Sequence, residues 1–193
     1  MKDWTNYQNE TYGDDVCKLL IEFLDNYKID NAIDLGCGSG NETVYMIKNG
    51  IKVLAIDRQL NQDFILNRLS DSEKQLISFK KSSFEDVELP KTKLLTAFFS
   101  IPFCNPNNFD ELWTKIYNSI EDNGYFVGQL FGDRDAWNVV ESINTFSIDK
   151  VKEYLKNYNI IKLEEIEYVR ESDNKMWHFY DIMAQKKVGD KHE

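Results

Sequence analysis

The stretch Ala32-Ile33-Asp34-Leu35-Gly36-Cys37-Gly38-Ser39-Gly40 constrains the fold of this chain more than any other. A short apolar run ends in an acid, three alternate glycines follow, and a helix-like segment leads to a second apolar run, Val53-Leu54-Ala55-Ile56, that closes on Asp57. Strand, tight turn, helix and strand in this order describe a nucleoside-binding crevice at the carboxyl ends of a parallel sheet. Without a Cβ, Gly36, Gly38 and Gly40 let the backbone turn sharply and let a ligand lie against the main chain. Asp57 stands where such sheets hold the two hydroxyls of a ribose.

Two classes of ligand use this arrangement. A dinucleotide fingerprint reads GxGxxG and sets a pyrophosphate on the helix amino terminus. Here the spacing is GxGxG, position 41 is Asn, and Asp34 lies two places before the first glycine, where its charge would repel a diphosphate and suit a cation. From Asp34 to Gly40 the chain resembles the class I S-adenosylmethionine-dependent methyltransferases, whose first motif reads acidic, x, Gly, x, Gly, x, Gly. The resemblance implies S-adenosylmethionine as cofactor, a ligand with a sulfonium and an ammonium and no phosphate. It also implies a doubly wound, Rossmann-like seven-stranded mixed sheet in which the terminal strand runs antiparallel.

At 193 residues the chain suits one domain, with residues 1–30 as an amino-terminal helical segment flanking the site. No apolar run approaches a membrane span, and Met1-Lys2-Asp3-Trp4 lacks the core of a signal peptide, so a cytoplasmic protein without membrane contacts is expected. Cys17, Cys37 and Cys104 are odd in number, His178 and His192 are far apart, and no metal site or disulfide is expected. A formal charge of −10, from 33 acidic and 23 basic residues without a basic stripe, argues against a nucleic-acid partner.

Helices are expected over 14–27, over 42–48 with Gly50 as the stop, as a short helix within 60–72 around Phe64, Ile65, Leu66 and Leu69, after Asn108 with Glu111 completing a capping box, and over 148–158 behind Ser147. Strands are expected over 32–35, 52–56, 75–79, 94–99 and 125–131, the last after an Asp122-Asn123-Gly124 turn. A closing hairpin of 160–169 and 176–185 turns at Glu171-Ser172-Asp173-Asn174. The sum is an α/β sheet with an antiparallel edge.

The resemblance brings Gly36, Cys37 and Gly38 against the methionyl end of the cofactor, Asp34 toward its ammonium and Asp57 onto its ribose, with Arg58 either at the adenine edge or exposed. Cys37 is read as a small packing residue, since no histidine near it in sequence would activate a thiol. In the resembled family an acid after strand three reads the adenine amino group, whereas this chain has Ser83 there; Ser83, the Phe84 amide or Glu85 would supply that contact. The loop Ser100-Ile101-Pro102-Phe103-Cys104-Asn105-Pro106 lies where donor faces acceptor, and it lacks the Asn-Pro-Pro-Tyr sequence of some amino methyltransferases. From there through Trp137 the chain is similar to the tellurite-resistance-type methyltransferases. On that likeness Phe103, Arg134 and Trp137 border the acceptor, and Asp133 and His178 are candidates for a base, should an oxygen or amine acceptor need one. Transfer to a small-molecule acceptor would be an in-line displacement. Two other readings stand beside it: a non-catalytic module that binds S-adenosylmethionine or supports a partner, and a nicotinamide-dependent reductase.

Overall fold

In the computed structural model, residues 5–171 and 173–188 are described. The absence of a leader read at Met1–Trp4, Ser172 of the expected turn, and His192 lie outside the described residues. Seven strands form one sheet: β1 (Asn31–Leu35), β2 (Lys52–Asp57), β3 (Ile77–Lys81), β4 (Thr92–Ala97), β5 (Ile120–Phe131), β6 (Tyr158–Arg170) and β7 (Lys175–Lys186). Their order is β3-β2-β1-β4-β5-β7-β6. β1 to β5 pair in parallel, and β7 enters between β5 and β6 antiparallel to both. The Rossmann-like mixed sheet expected from the glycine motif is therefore present.

Among the described residues, six α-helices accompany the sheet: α1 (Thr5–Glu10), α2 (Lys18–Asn26), α3 (Asn41–Lys48), α4 (Gln62–Leu66), α5 (Phe109–Ser119) and α6 (Ile148–Tyr154). The two-residue period of the strands sends alternate side chains to opposite faces, and both faces are apolar. Ile33, Leu35, Ile56 and Leu95 join the core under α5 and α6, with Trp113 and Ile116 of α5 and Val151 of α6. Ala32, Val53, Ala55 and Leu94 join a second core with Leu20 and Phe23 of α2 and Met46 and Ile47 of α3. Burying each large side chain contributes about 1.5–3 kcal/mol, so both faces are firmly covered. The carboxyl ends of the parallel strands stay open to the cavity described below.

Several boundaries differ from expectation for local reasons. The segment before α2 is extended up to Cys17, because the Gly13 amide donates to Asn41 Oδ1 and the Cys17 amide to Glu42 Oε1. The short helix expected within 60–72 is α4, which Asn61 caps by accepting from the Asp63 amide; a separate 3-10 turn covers Glu73–Leu76, where the third strand was expected to begin. The capping box at Asn108 does not form: Asn108 makes no side-chain cap, and Asn105 caps the 3-10 turn Pro106–Asn108 instead. Ser147 caps α6 by accepting from the Lys150 amide. The Asp122-Asn123-Gly124 turn is a disruption inside β5, with Asn123 at φ 61° and the register to β4 shifting between Thr92 and Leu94.

Candidate active site

The glycine loop is tied to the end of β2. Gly36 and Cys37 donate their amides to Ile56 O at 2.7 and 3.0 Å. Gly36 has φ +80°, and a Cβ there would stand 2.3 Å from Ser100 Cβ, so only glycine lets β1 and the β4 loop close together. Ser100 reinforces this contact by donating to Leu35 O at 2.6 Å. Gly38, at φ +53°, has open space where its Cβ would be, and its amide donates to Asp57 Oδ2 at 3.0 Å. The Gln59 amide donates to Asp57 Oδ1 at 2.7 Å. Asp57 is thus a fixed carboxylate with lone pairs to spare at the wall of a cavity of about 880 Å³.

Two of the residues expected at the cofactor, Asp34 and Cys37, do not reach that wall. Asp34 is buried beneath the loop, accepting from Thr43 Oγ1 at 2.5 Å and Thr96 Oγ1 at 3.0 Å. Burial and the nearby Glu42 carboxylate push it up to about 7, against the pull of the two threonines. Any influence on a ligand's ammonium therefore acts through the loop, as charge from below. Cys37 is buried with its amide spent on Ile56, and burial beside Asp34 and Asp57 holds its thiol well above the ordinary range, so it remains a protonated packing residue. Gly40 carries the turn but packs on Ile65.

Gly36, Gly38, Asp57 and Arg58 line one end of the cavity, with Ser83 and Phe84 closing it. Ser83 Oγ donates to Asp86 and accepts from the Asp86 amide, so its hydroxyl serves the turn as well as facing the cavity. Glu85 lines the same wall and accepts from the Asn105 amide at 2.9 Å. Ser100 and Phe103 line the middle, after β4.

The other end is aromatic. Phe99, Phe131, Trp137 and Trp177 line it together with Met176 and Val140. Phe99 has φ 45°, a conformation that costs a bulky L-residue about 1–3 kcal/mol and persists only where the surroundings over-determine it. Its ring stacks on Phe131 at 5.4 Å and meets Trp177 and Phe179 edge-on.

Trp137 is carried by a loop that His178 clasps. Gly132 donates its amide to His178 O at 2.7 Å, the His178 amide donates to Asp135 Oδ2 at 2.9 Å, and the Trp137 amide donates to Asp135 Oδ1 at 2.9 Å. The Arg134 amide donates to His178 Nδ1 at 3.0 Å, which puts the imidazole proton on Nε2, facing Glu165 Oε1 at 2.8 Å. A Cβ at Gly132 would lie 2.1 Å from the ring. His178 is fully buried and, like Asp133 and Arg134, is not among the cavity's lining residues. The reason is strand parity: Trp177 faces the cavity, so its neighbour on β7 faces away. The Arg134 side chain reaches out to Glu165 and Glu167 on β6. Asp133 sits half-exposed beside Arg134.

Residues missed by sequence reasoning close the rim. Asn6, Tyr7, Gln8 and Thr11, in and just after α1, line the cavity, within the flanking segment expected at 1–30. Thr11 donates to Ser39 Oγ and accepts from Asn41 Nδ2, fixing this segment to the glycine loop. Arg68 bridges the same parts, donating to Asn41 Oδ1 at 2.6 Å and to Ser39 O while its guanidinium lies over Tyr12. No spacing motif marks these contacts; only the nearby polar cluster Ser39, Asn41 and Arg68 hints at them. From the β6–β7 hairpin come Arg170, Lys175 and Trp177. Among the described residues, no three His, Cys, Asp or Glu side chains cluster to hold a metal ion, and no helix is long and apolar enough to cross a membrane.

Comparison with known proteins accords with this geometry. The profile of the methyltransferase domain family matches residues 33–128, from β1 into β5. A carboxy-S-adenosyl-L-methionine synthase of Nautilia profundicola is 26% identical over 116 residues, covering 56% of this chain and 48% of that protein. The chain spans about half the length of the curated relatives it matches, 48% to 59% in the Nautilia and Helicobacter pylori synthases. In fold it is similar to TehB from Haemophilus influenzae, with a TM-score of 0.78, 19% identity, and coverage of 94% of this chain and 66% of that one. A 1,6-didemethyltoxoflavin-N1-methyltransferase from Burkholderia thailandensis, solved with bound 1,6-didemethyltoxoflavin and S-adenosylhomocysteine, superposes with a TM-score of 0.72 at 13% identity, covering 96% of this chain and 84% of that one. Residues 33–128 thus match the methyltransferase domain family, and the fold of the chain is similar to that of TehB.

Proposed function

We propose that the cavity holds S-adenosylmethionine at its glycine end and a small-molecule methyl acceptor at its aromatic end. The observation that carries this reading is one continuous cavity lined by Gly38 and Asp57 at one end and by Phe99 and Trp137 at the other. The residues fit the cofactor: Asp57 has acceptor capacity for two vicinal hydroxyls, and the absent side chain at Gly38 leaves main chain open to a methionyl group. Arg58, Ser83 and Phe84 would enclose the adenine, and Ser100 and Phe103 the junction between the two ligands. The buried carboxyl of Asp34 would favour the cationic end of the cofactor from beneath the loop.

When bound, the cofactor would supply a methyl group already activated on a sulfonium, which would pass to an acceptor lone pair that carries no proton as the carbon–sulfur bonding pair returned to sulfur. The protein's part is alignment and exclusion of solvent. Phe99, Phe103 and Trp137 remove water from the acceptor end, and the His178 clasp keeps Trp137 in place. His178 positions that loop, and its buried ring does not touch the acceptor.

The curated relatives support a second reading, in which the cofactor is itself the group modified, as the name carboxy-S-adenosyl-L-methionine synthase states of those proteins. Arg170 and Lys175 on the cavity wall would suit an anionic co-substrate. Isothermal titration with S-adenosylmethionine, S-adenosylhomocysteine and NADH, beside Asp57→Ala, tests the shared premise. Micromolar binding of both sulfur nucleosides, weakened in the variant, is expected; tight binding of NADH alone would overturn it. Mass spectrometry of the nucleoside after incubation then separates the readings, since methyl transfer yields S-adenosylhomocysteine and the second yields a heavier sulfonium.

A further inference from the structure

The aromatic end of the cavity has a shape of its own. Phe99 and Phe131 lie nearly parallel, 5.4 Å apart at 20°. Trp177 stands against Phe99 at 84°, and Phe103 stands against Phe131 at 86°. Trp137 in turn meets Phe103 at 85°. Parallel rings with others set perpendicular to them present both faces and edges, the two surfaces with which an aromatic ring is held best. Phe99 keeps its place in this wall in spite of a φ of 45°. Strain of that kind collects at ligand clamps, where the surroundings fix a side chain for a purpose.

An aromatic enclosure suits two kinds of guest, a flat ring or an organic cation. The face of Trp177 decides between them here. The Arg170 guanidinium lies over Trp177 at 5.1 Å, and Lys175 lines the same end of the cavity. Asp173 pairs with both. With those charges paired, what a cationic guest meets is competition: it would have to displace Arg170 from the face of Trp177.

We infer that the acceptor chamber is built for a flat aromatic or heteroaromatic ring that carries no positive charge, seated against Phe99 and Phe131 between Trp177 and Phe103. This rests on the cofactor reading above and narrows its acceptor. Trp137 adds to the enclosure beside Phe103, and Met176 adds a polarizable apolar contact.

The test uses the full chain saturated with S-adenosylhomocysteine and three probes: 2-naphthol, its saturated counterpart decahydro-2-naphthol, and tetramethylammonium. Saturation-transfer NMR and titration are expected to give binding of 2-naphthol about tenfold tighter than of the decalin alcohol, with tetramethylammonium weakest. Trp177→Leu and Trp137→Leu, which alter half-buried side chains, are each expected to weaken 2-naphthol several-fold while leaving S-adenosylhomocysteine affinity within about twofold. Equal affinity for the flat and saturated alcohols, preference for tetramethylammonium, or no 2-naphthol binding to protein that holds S-adenosylhomocysteine would overturn the inference and leave the cofactor reading standing. Failure to bind S-adenosylhomocysteine would instead remove the cofactor reading, and the inference with it.

Discussion

Asp34→Asn should make the protein without ligand more stable above neutral pH. The carboxyl is buried, and its burial together with the Glu42 charge lifts it from 3.8 to about 7. A carboxyl raised in the folded state holds its proton where the unfolded chain has already released it, so stability falls as pH rises from about 4 to about 7 and stays low beyond. At ~1.36 kcal/mol per tenfold, the cost of the ionised group at pH 8.5 is about 4 kcal/mol; at pH 5 it has reached less than about 2 kcal/mol. Asparagine cannot ionise, and the Thr43 and Thr96 hydroxyls can rotate to serve its oxygen and amide, Thr96 already lying 3.3 Å from Ile33 O. Urea denaturation of both proteins at the two pH values measures the difference. The variant is expected to gain about 4 kcal/mol at pH 8.5, equivalent to roughly 8–16 °C in Tm, and less than half of that at pH 5. An equal loss of stability at both values would refute the reasoning, because the carboxylate would then be stabilising through its threonines.

Other consequences can be checked directly. Gly132→Ala drives a Cβ to 2.1 Å from the buried His178 ring and should cost about 1–3 kcal/mol by thermal melt, with a shift in tryptophan emission as the Trp137 loop moves. His178→Leu removes the acceptor of the Arg134 amide and should cost about 1–3 kcal/mol; His178→Asn, whose Oδ1 can take the place of Nδ1, should recover at least half of it in the same melts. Arg68→Lys should not rescue Arg68→Ala in S-adenosylhomocysteine titrations, since the fork to Asn41 and Ser39 and the stacking on Tyr12 need a planar guanidinium.

The glycine motif was legible because its chemistry is local. Gly36 and Gly38 adopt positive φ, and Asp57 ends its strand, for reasons contained in a few consecutive residues. The continuous apolar runs of β1 and β4 likewise announced a sheet buried on both faces. The acceptor end was less legible, because it is assembled from three distant segments, the loop after β4, the end of β5 with its loop, and the β6–β7 hairpin. His178 and Arg134 carry suitable chemistry, yet strand parity turns His178 away, and Glu165 and Glu167 across the β6–β7 pair draw Arg134 outward. Trp177, one residue from His178, takes the place on the wall. Asp34 was legible as the acid near the end of β1 but not as a buried one, since it is the pairing with β4 that brings Thr96 beside it. The helix expected from residue 14 starts late because Asn41 and Glu42, far along the chain, claim the Gly13 and Cys17 amides.

The most direct test of the account is a crystal structure of the chain with S-adenosylhomocysteine. The account predicts the ribose hydroxyls on Asp57, the methionyl group along Gly36–Gly38, and the sulfur turned toward Phe99. A nucleoside bound elsewhere, or one in this cavity with its ribose away from Asp57, would contradict it.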